Sequence, residues 1–354
     1  MRAMAAGDVK WRDGKTTMYI FNAGEDVERV KKAAYAMFSE ENGLGPAAFP
    51  SLARMEREVV GFGLALLNGP DGAAGAMTSG GTDSIVMAVK AARDHARAKR
   101  GLTSGLNIVA PYSAHPAFDK AGMMMDIEIR RVPVKDYLAD VEAMAAAIDD
   151  KTLMLVGSAP CFPYGLIDPI VALGKLAERA GVWLHVDACV GGYIAPFVRM
   201  NGADLPAFDF SAPGVWSMSG DLHKYGYASK GASTVFFRSE ELKAYMPFDA
   251  GPWPLGRMHT PTLAGTRPGG AIAAAWAVTQ FLGVEGYREK QRAVVEAREK
   301  IEAGAKALGF GVVGKPQLGI AAFTHDEADC LSLLGKMYQR GWVSAGLLEP
   351  RALH

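Results

Sequence analysis

The chain has 354 residues, 49% of them apolar and 21% charged, and its 38 Lys+Arg balance 38 Asp+Glu to a formal net charge of zero. That is soluble globular composition, long enough for about two domains with sizeable cores. Without a basic stripe a nucleic acid or anionic membrane has no electrostatic hold, and the longest apolar runs, such as 59–67 and 272–278, fall short of the ~20 residues a bilayer requires.

The N-terminus lacks an apolar signal core. Cys161, Cys189 and Cys330 are odd in number and form no CxxC. No disulfide framework is expected, and a reducing cytoplasm fits.

Residues 1–50 read as an N-terminal arm with little core of its own. Within it, 27–39 predicts an amphipathic helix, because Val27, Val30, Ala33, Ala34 and Phe38 recur near helical spacing. The Gly- and Pro-rich stretch 42–50 predicts a loop. Ser51 is placed to cap a helix running to about Leu67.

Next comes Gly75-Ala76-Met77-Thr78-Ser79-Gly80-Gly81-Thr82-Asp83-Ser84, then the helical pattern Ile85, Ala88, Val89, Ala92. Gly80 and Gly81 let backbone N–H groups turn inward, and Thr82 adds a hydroxyl. With the positive end of the following helix, these can hold a phosphate without a lysine. The plainer reading is an N-capped helix after a tight turn. Neither a GxxxxGK[ST] loop nor a GxGxxG after a strand is present.

Strands are predicted over 106–110, 127–132, 153–156 and 182–186, and helices over 116–124, 140–148 and 170–180. This alternation argues for an α/β fold with a mainly parallel sheet covered on both faces. Ligands collect at the carboxyl ends of such strands. After the first strand, His115 is either a hydrogen-bonding residue at a helix terminus or a ring lying over a planar ligand. After the third, Tyr164 faces a pocket or the core. Asp187 ends the fourth, where a carboxylate is costly unless it meets a cation or donors. His185 and Asp187 could share a metal, but no third ligand is near and no metal is expected. Cys189 reads as a small buried residue.

Lys224 lies in Ser219-Gly220-Asp221-Leu222-His223-Lys224-Tyr225-Gly226, between an apolar run (214–218) and a strand-like one (232–237). Desolvation at a strand end would ease loss of its proton and make it a nucleophile. Taken alone, it is as simply a solvated loop lysine. The turn 262–270 precedes an apolar helix, 271–282, and is a second anion-binding turn or merely a helix start. A charged helix, 284–307, predicts a solvated linker into a smaller domain reading strand (318–323), helix (327–339), strand (342–346). The expected division is an arm (1–55), a large domain (56–283) and a small, short C-terminal domain (284–354).

Gly80, Gly81 and Thr82 as a phosphate cradle, His115 as a flat-lying ring, Asp187 as a strand-end acid and Lys224 as a loop amine suit one ligand, pyridoxal 5'-phosphate. The lysine would form a Schiff base with its aldehyde, the acid would keep its pyridine nitrogen protonated, and the imidazole would stack on the ring.

Four blocks carry a resemblance. They are 77–84 (MTSGGTDS), 113–120 (SAHPAFDK), 185–192 (HVDACVGG) and 219–226 (SGDLHKYG). Together they resemble the sphingosine-1-phosphate lyase branch of the group II pyridoxal-phosphate-dependent decarboxylases, from about Met18 to the C-terminus. The resemblance implies the fold type I transferase architecture: a mainly parallel seven-stranded sheet with a smaller C-terminal α/β domain. It also implies a homodimer with active sites at the dimer interface. It assigns Lys224 as the Schiff-base lysine, Asp187 to the pyridine nitrogen and His115 to ring stacking. Gly81, Thr82 and His223 would hold the phosphate. Gly265 and Thr266 would reach the neighbouring subunit's cofactor, and Lys230 and Tyr164 match positions near the substrate. The sequence departs from the pattern at Asn42-Gly43-Leu44-Gly45, where such lyases usually have Asn-Pro-Leu-His, and at Asp83, where glutamate is more usual.

The expected activity is retro-aldol cleavage of a phosphorylated long-chain amino alcohol, such as sphingosine 1-phosphate, to an aldehyde and an amine. Lys224, Lys230 or Tyr164 would move the proton. The alternatives are α-decarboxylation of an amino acid on the same cofactor and, from another class, non-catalytic cofactor binding.

Overall fold

Short aliphatic runs alternate with amphipathic ones along residues 74–237, and each takes the element its period demands. The computed structural model describes Met1 and residues 3–354. Helices α1 (Glu25–Met37) and α2 (Pro50–Leu66) come first. The alternating region runs β1 (Ala74–Thr78), α3 (Gly81–Arg100), β2 (Asn107–Pro111), α4 (Ala117–Met125) and β3 (Glu128–Val132). After the small hairpin β4 (Val134–Lys135) and β5 (Leu138–Ala139) it continues with α5 (Val141–Ala146), β6 (Thr152–Ser158) and α6 (Ile170–Ala180). It closes with β7 (Trp183–Asp187), α7 (Ala195–Met200), β8 (Val215–Gly220) and β9 (Ser233–Phe237).

Seven strands form one sheet in the order β1-β9-β8-β7-β6-β2-β3. β9 pairs antiparallel with both neighbours, and the remaining pairs are parallel. The sheet is therefore mainly parallel, as expected. Val109, Leu155 and Leu184 face one core, built with α2, α6, α7 and the helix after residue 268. Ile108, Val156 and Trp183 face the other, built with α3 and α4. Burial on both faces requires apolar side chains at successive strand positions. Because β6, β7 and β8 run in one direction, Ser158, Asp187 and Ser219 fall in one register row at the carboxyl edge.

Several local expectations are corrected. Ser51 does not cap α2: Phe49 is the N-cap and Pro50 opens the helix, where its fixed φ and missing N–H cost nothing. Residues 74–78 form a strand, not only a lead-in to a helix. After α8 (Glu240–Lys243), an exposed hairpin pairs β10 (Phe248–Trp253) with β11 (Gly256–Thr260). The two helices expected after residue 268 form one run, α9 (Gly269–Ala307), kinked at Gly283 (φ 54°, ψ −170°).

The C-terminal region holds β12 (Gly311–Val312), β13 (Phe323–Thr324), α10 (Cys330–Gln339), β14 (Gly346–Leu348) and β15 (Arg351–Leu353), with strand order β12-β13-β15-β14. The strand expected over 318–323 is reduced to β13. Leu318 and Ile320 are buried in the large core, and the Gly319 carbonyl accepts from the Tyr225 hydroxyl. The strand expected over 342–346 forms later, as β14. All three cysteines are free and buried. Among the described residues no helix is long and apolar enough to cross a membrane.

Candidate active site

β7 brings Asp187 to the carboxyl edge at 8% exposure. Its Oδ1 accepts from the Cys189 amide at 3.0 Å and from Ser219 Oγ at 3.2 Å. No hydrogen bond among the described residues occupies Oδ2, and the residue lines a cavity of about 1500 Å³. Burial pushes the Asp187 pKa up, but the Cys189 amide and then the Lys224 ammonium pull harder, and the balance lies below the ordinary aspartate value. The side chain is thus a carboxylate at neutral pH.

The turn after β8 carries Asp221, His223 and Lys224. Lys224 Nζ lies 3.0 Å from Asp221 Oδ2, and His223 Nε2 lies 3.6 Å from the same oxygen. Asp221 Oδ1 accepts from Ser233 Oγ at 2.5 Å. Behind it the hydroxyls of Ser233, Ser84 and Thr78 form a buried chain, with contacts of 2.9 and 2.5 Å. The expectation that desolvation frees Lys224 of its proton is corrected. Burial does pull its pKa down, but Asp221, Cys189 and Asp187 together raise it above the ordinary lysine value. Two carboxylates outweigh the lost hydration, so the amine is held charged.

The N-terminus of the 20-residue helix α3 faces the same space. Gly80 is its N-cap and no side chain caps it. Asp83 turns back to accept from the amide and hydroxyl of Ser79 at 2.9 and 3.0 Å, which fixes the turn. A methyl group at Gly81 would stand 2.7 Å from Cys189 Sγ and 2.8 Å from Asp221 Oδ2; the backbone approaches closely because nothing else fits. Among the described residues His223 Nδ1 is buried without a partner, and the ring's Cε1 lies 3.8 Å from where a methyl group on Gly80 would stand.

His115 sits where the β2–α4 turn ends, its Nδ1 accepting from the Ala117 amide at 3.1 Å. Lys230 Nζ donates to the His223 carbonyl at 3.3 Å and lies 5.5 Å from the centre of the Phe21 ring. Burial, then Lys31 and Lys224, lower its pKa against a smaller opposing pull from Asp221. Gly80, Gly81, Thr82, His115, Asp187, His223, Lys224 and Lys230 all line the one cavity.

Three expected residues are placed elsewhere. The Tyr164 hydroxyl donates to the Glu349 carbonyl at 3.0 Å, and its ring packs on Tyr137, so the side chain ties the β6–α6 loop to the C-terminal region. Gly265 and Thr266 also lie off this cavity. Thr266 borders a separate small pocket near the end of β1, and Asn42 Nδ2 donates to its hydroxyl at 3.4 Å. His185 stays in the core, with Nδ1 2.7 Å from Ser217 Oγ, which also accepts from Trp183 Nε1. Among the described residues no cluster of His, Cys, Asp or Glu could hold a metal.

Sequence reasoning missed Asp221, Ser219, Ser233 and the arm residue Phe21. Asp221 carried a signal, an acid three positions before the lysine in a turn. Ser219 lay inside the quoted 219–226 stretch, but nothing local showed that it faces Asp187; Phe21 and Ser233 carried no signal, because they belong to other segments.

Residues 10–325 match the family model described as the pyridoxal-dependent decarboxylase conserved domain. The chain belongs to this family. It is 43% identical to a sphingosine-1-phosphate lyase of Oryza sativa subsp. japonica, covering 100% of this chain and 67% of that protein. It is 39% identical to the Mus musculus sphingosine-1-phosphate lyase 1, covering 100% of this chain and 62% of that protein. The chain thus spans about two thirds of the length of the curated relatives it matches. A solved sphingosine-1-phosphate lyase of Burkholderia pseudomallei superposes with a TM-score of 0.95 at 39% identity, covering 99% of this chain and 82% of that one. The Lactobacillus brevis glutamate decarboxylase shares the fold, at a TM-score of 0.85 and 21% identity.

The residues present fit the family's cofactor, pyridoxal phosphate. An uncapped helix N-terminus and an unpartnered buried imidazole nitrogen await an anion. An acceptor oxygen on Asp187 and an amine on Lys224 face the same cavity.

Proposed function

We propose that the chain is a pyridoxal-phosphate-dependent carbon–carbon lyase acting on a phosphorylated long-chain amino alcohol of the sphingosine 1-phosphate class, with an aldehyde and an amine as products. The match to sphingosine-1-phosphate lyases along the whole of this chain carries this reading. When bound, the cofactor supplies a ring that takes up the electron pair of the bond breaking at the substrate's α-carbon.

Lys224 would tether the cofactor. Asp187 would keep the pyridine nitrogen protonated, while Cys189 and Ser219 hold its Oδ1 in place. His115 would stack on the ring. Gly80, Gly81, Thr82 and His223 would hold the phosphate. Lys230 is the amine left to take the proton from the substrate hydroxyl, a positioned transfer that contributes ~10²–10⁴-fold. Its lowered pKa supports the role, since burial favours the neutral amine. Tyr164 has no part in this scheme, because its hydroxyl is engaged outside the cavity. The cavity continues past Lys230 along Phe21, Ile20, Val294, Ile301 and Ile320, an apolar wall suited to an alkyl chain.

Gly265 and Thr266 lie off the chain's own cavity, and we assign them to the neighbouring subunit's cofactor in a homodimer with shared sites. We place the protein in the cytoplasm, where three buried free thiols stay reduced. A second reading, α-decarboxylation, has one specific support: the chain is 36% identical, over 90% of its length, to a Methanothrix thermoacetophila protein named probable L-tyrosine/L-aspartate decarboxylase.

Incubation with sphingosine 1-phosphate and, separately, with amino acids discriminates the two. Long-chain aldehyde from the first supports the lyase. Carbon dioxide from the second, with no aldehyde from the first, replaces it with the decarboxylase. No product from either supports non-catalytic cofactor binding.

A further inference from the structure

The cradle contains a contradiction. It is shaped for an anion, yet Asp221 Oδ2 lies 2.8 Å from where a methyl group on Gly81 would stand. Two negative charges would meet at close range in a partly desolvated site, which costs several-fold more there than in water. Asp221 cannot turn away, because Ser233 holds its other oxygen and the Ser84–Thr78 chain backs that hydroxyl. Lys224 neutralises it at 3.0 Å, but one ammonium cannot also offset an incoming phosphate dianion.

The remaining neighbour is His223. Its Nε2 is 3.6 Å from Asp221 Oδ2, its Nδ1 is buried and, among the described residues, unpartnered, and its Cε1 lies 3.8 Å from where a methyl group on Gly80, the N-cap of α3, would stand. A doubly protonated ring donates from both nitrogens, one toward Asp221 and one toward the anion. We propose that Asp221 and His223 form a proton-accepting couple: a phosphate monoester enters the cradle together with one proton from solvent, which His223 holds between the Asp221 carboxylate and the phosphate. This rests on the cradle being the cofactor's phosphate site. Only one N–H bond forms, on His223; the proton comes from solvent, and no other bond changes.

The groups that face the couple agree with this. Asp221, Lys224 and Lys230 lie on its own turn, and Lys31 on α1 acts through Lys230. Asp187 and Cys189 at the end of β7 act on Lys224, and His115 before α4 acts on Asp187. From α3, Asp83 is turned back to Ser79. Burial and the two lysines keep the His223 pKa below its ordinary value against the pull of Asp221, so the ring is neutral at pH 8 before an anion arrives.

The test uses pyridoxine 5'-phosphate, which carries the phosphate but an alcohol in place of the aldehyde. At pH 8 a phosphate monoester is already a dianion, since its second pKa is about 6. The phosphate itself therefore takes up none, and the difference between the wild type and His223→Asn isolates the proton held by the imidazole from any held on the ligand's ring nitrogen. Calorimetry in buffers of different ionisation enthalpy counts it. The wild-type protein takes up close to one proton per site, and its affinity falls about tenfold per pH unit above neutrality. His223→Asn lowers the count by close to one and flattens the pH dependence, and Asp221→Asn reduces the proton count. Binding by the wild type with no proton uptake, or an unchanged count in His223→Asn, overturns the couple and leaves the site assignment intact. No binding of pyridoxine 5'-phosphate, with no borohydride-trapped pyridoxyl label on Lys224 after incubation with pyridoxal phosphate, overturns both.

Discussion

Ser219 and Asp187 face each other across the β7–β8 pair, and Ser219 Oγ donates to Asp187 Oδ1 at 3.2 Å. The same hydroxyl accepts from Cys189 Sγ at 3.2 Å. One serine thus orients the acid that the site depends on and bonds a buried thiol whose pKa burial raises well above its ordinary value. A hydrogen bond to a buried charge is worth about 1.5–3 kcal/mol. Ser219→Ala is expected to weaken pyridoxal phosphate binding about tenfold or more, read by absorbance titration of cofactor-free protein, with the melting temperature little changed. An unaltered affinity would show that the Cys189 amide alone suffices.

Lys224→Ala removes the one side-chain amine paired with Asp221 among the described residues. The variant is expected to lose the borohydride-trapped pyridoxyl peptide containing position 224 and all measurable turnover. Full activity in this variant would refute the assignment of the tether.

Two glycines separate site from scaffold. In Gly81→Ala the new methyl meets the side chains of Cys189 and Asp221. In Gly174→Ala it would stand 1.9 Å from the Pro213 carbonyl oxygen, which is backbone. The first is expected to cost cofactor affinity while the fold persists. The second overpacks the α6 side of the core and should cost about 1–3 kcal/mol or more, seen as a lowered melting temperature. Equal melting temperatures for the two variants would contradict this division.

Acid stability has two opposing contributors. Burial pushes His185 down to about 4, with Asp187 opposing. Above pH ~6.5 both folded and unfolded chains hold it neutral. As pH falls toward 4, the unfolded chain binds a proton that the folded one refuses, and about 3 kcal/mol of stability is lost. Burial pushes Asp168 up to about 6, although the Ala139 and Ser158 amides donate to it. Its contribution is present below pH ~3.9 and is lost as pH rises through 6. Across pH 4–6 the two slopes cancel in part. Denaturant melts should show stability rising more steeply with pH in Asp168→Asn than in the wild type, and falling with pH in His185→Asn. Parallel profiles would assign the titrations to other groups.

Much of this protein was legible before folding. The alternation of 3.6-residue and continuous apolar runs determined an α/β sheet, because a strand buried on both faces admits no polar alternation. The glycine pair before α3, the acid ending β7 and the lysine after β8 were each visible as a residue type at a strand end, and strand ends are where parallel sheets gather ligands. The α2 start was misread at Ser51, since Pro50 is equally suited to a first turn, and only packing shows which residue opens it.

Pairings between distant segments were decided by tertiary structure alone. Register put Ser219 against Asp187, 32 positions away, and antiparallel β9 brought Ser233 to Asp221. The charge on Lys224 followed from that placement, because electrostatics acts through space and two carboxylates outweigh burial. Tyr164 shows the converse: a pocket-like position in the sequence became a tie to Glu349 once the C-terminal strands folded over it. Composition and periodicity set which elements form and which edge gathers polar groups, whereas the distances that set protonation exist only in three dimensions.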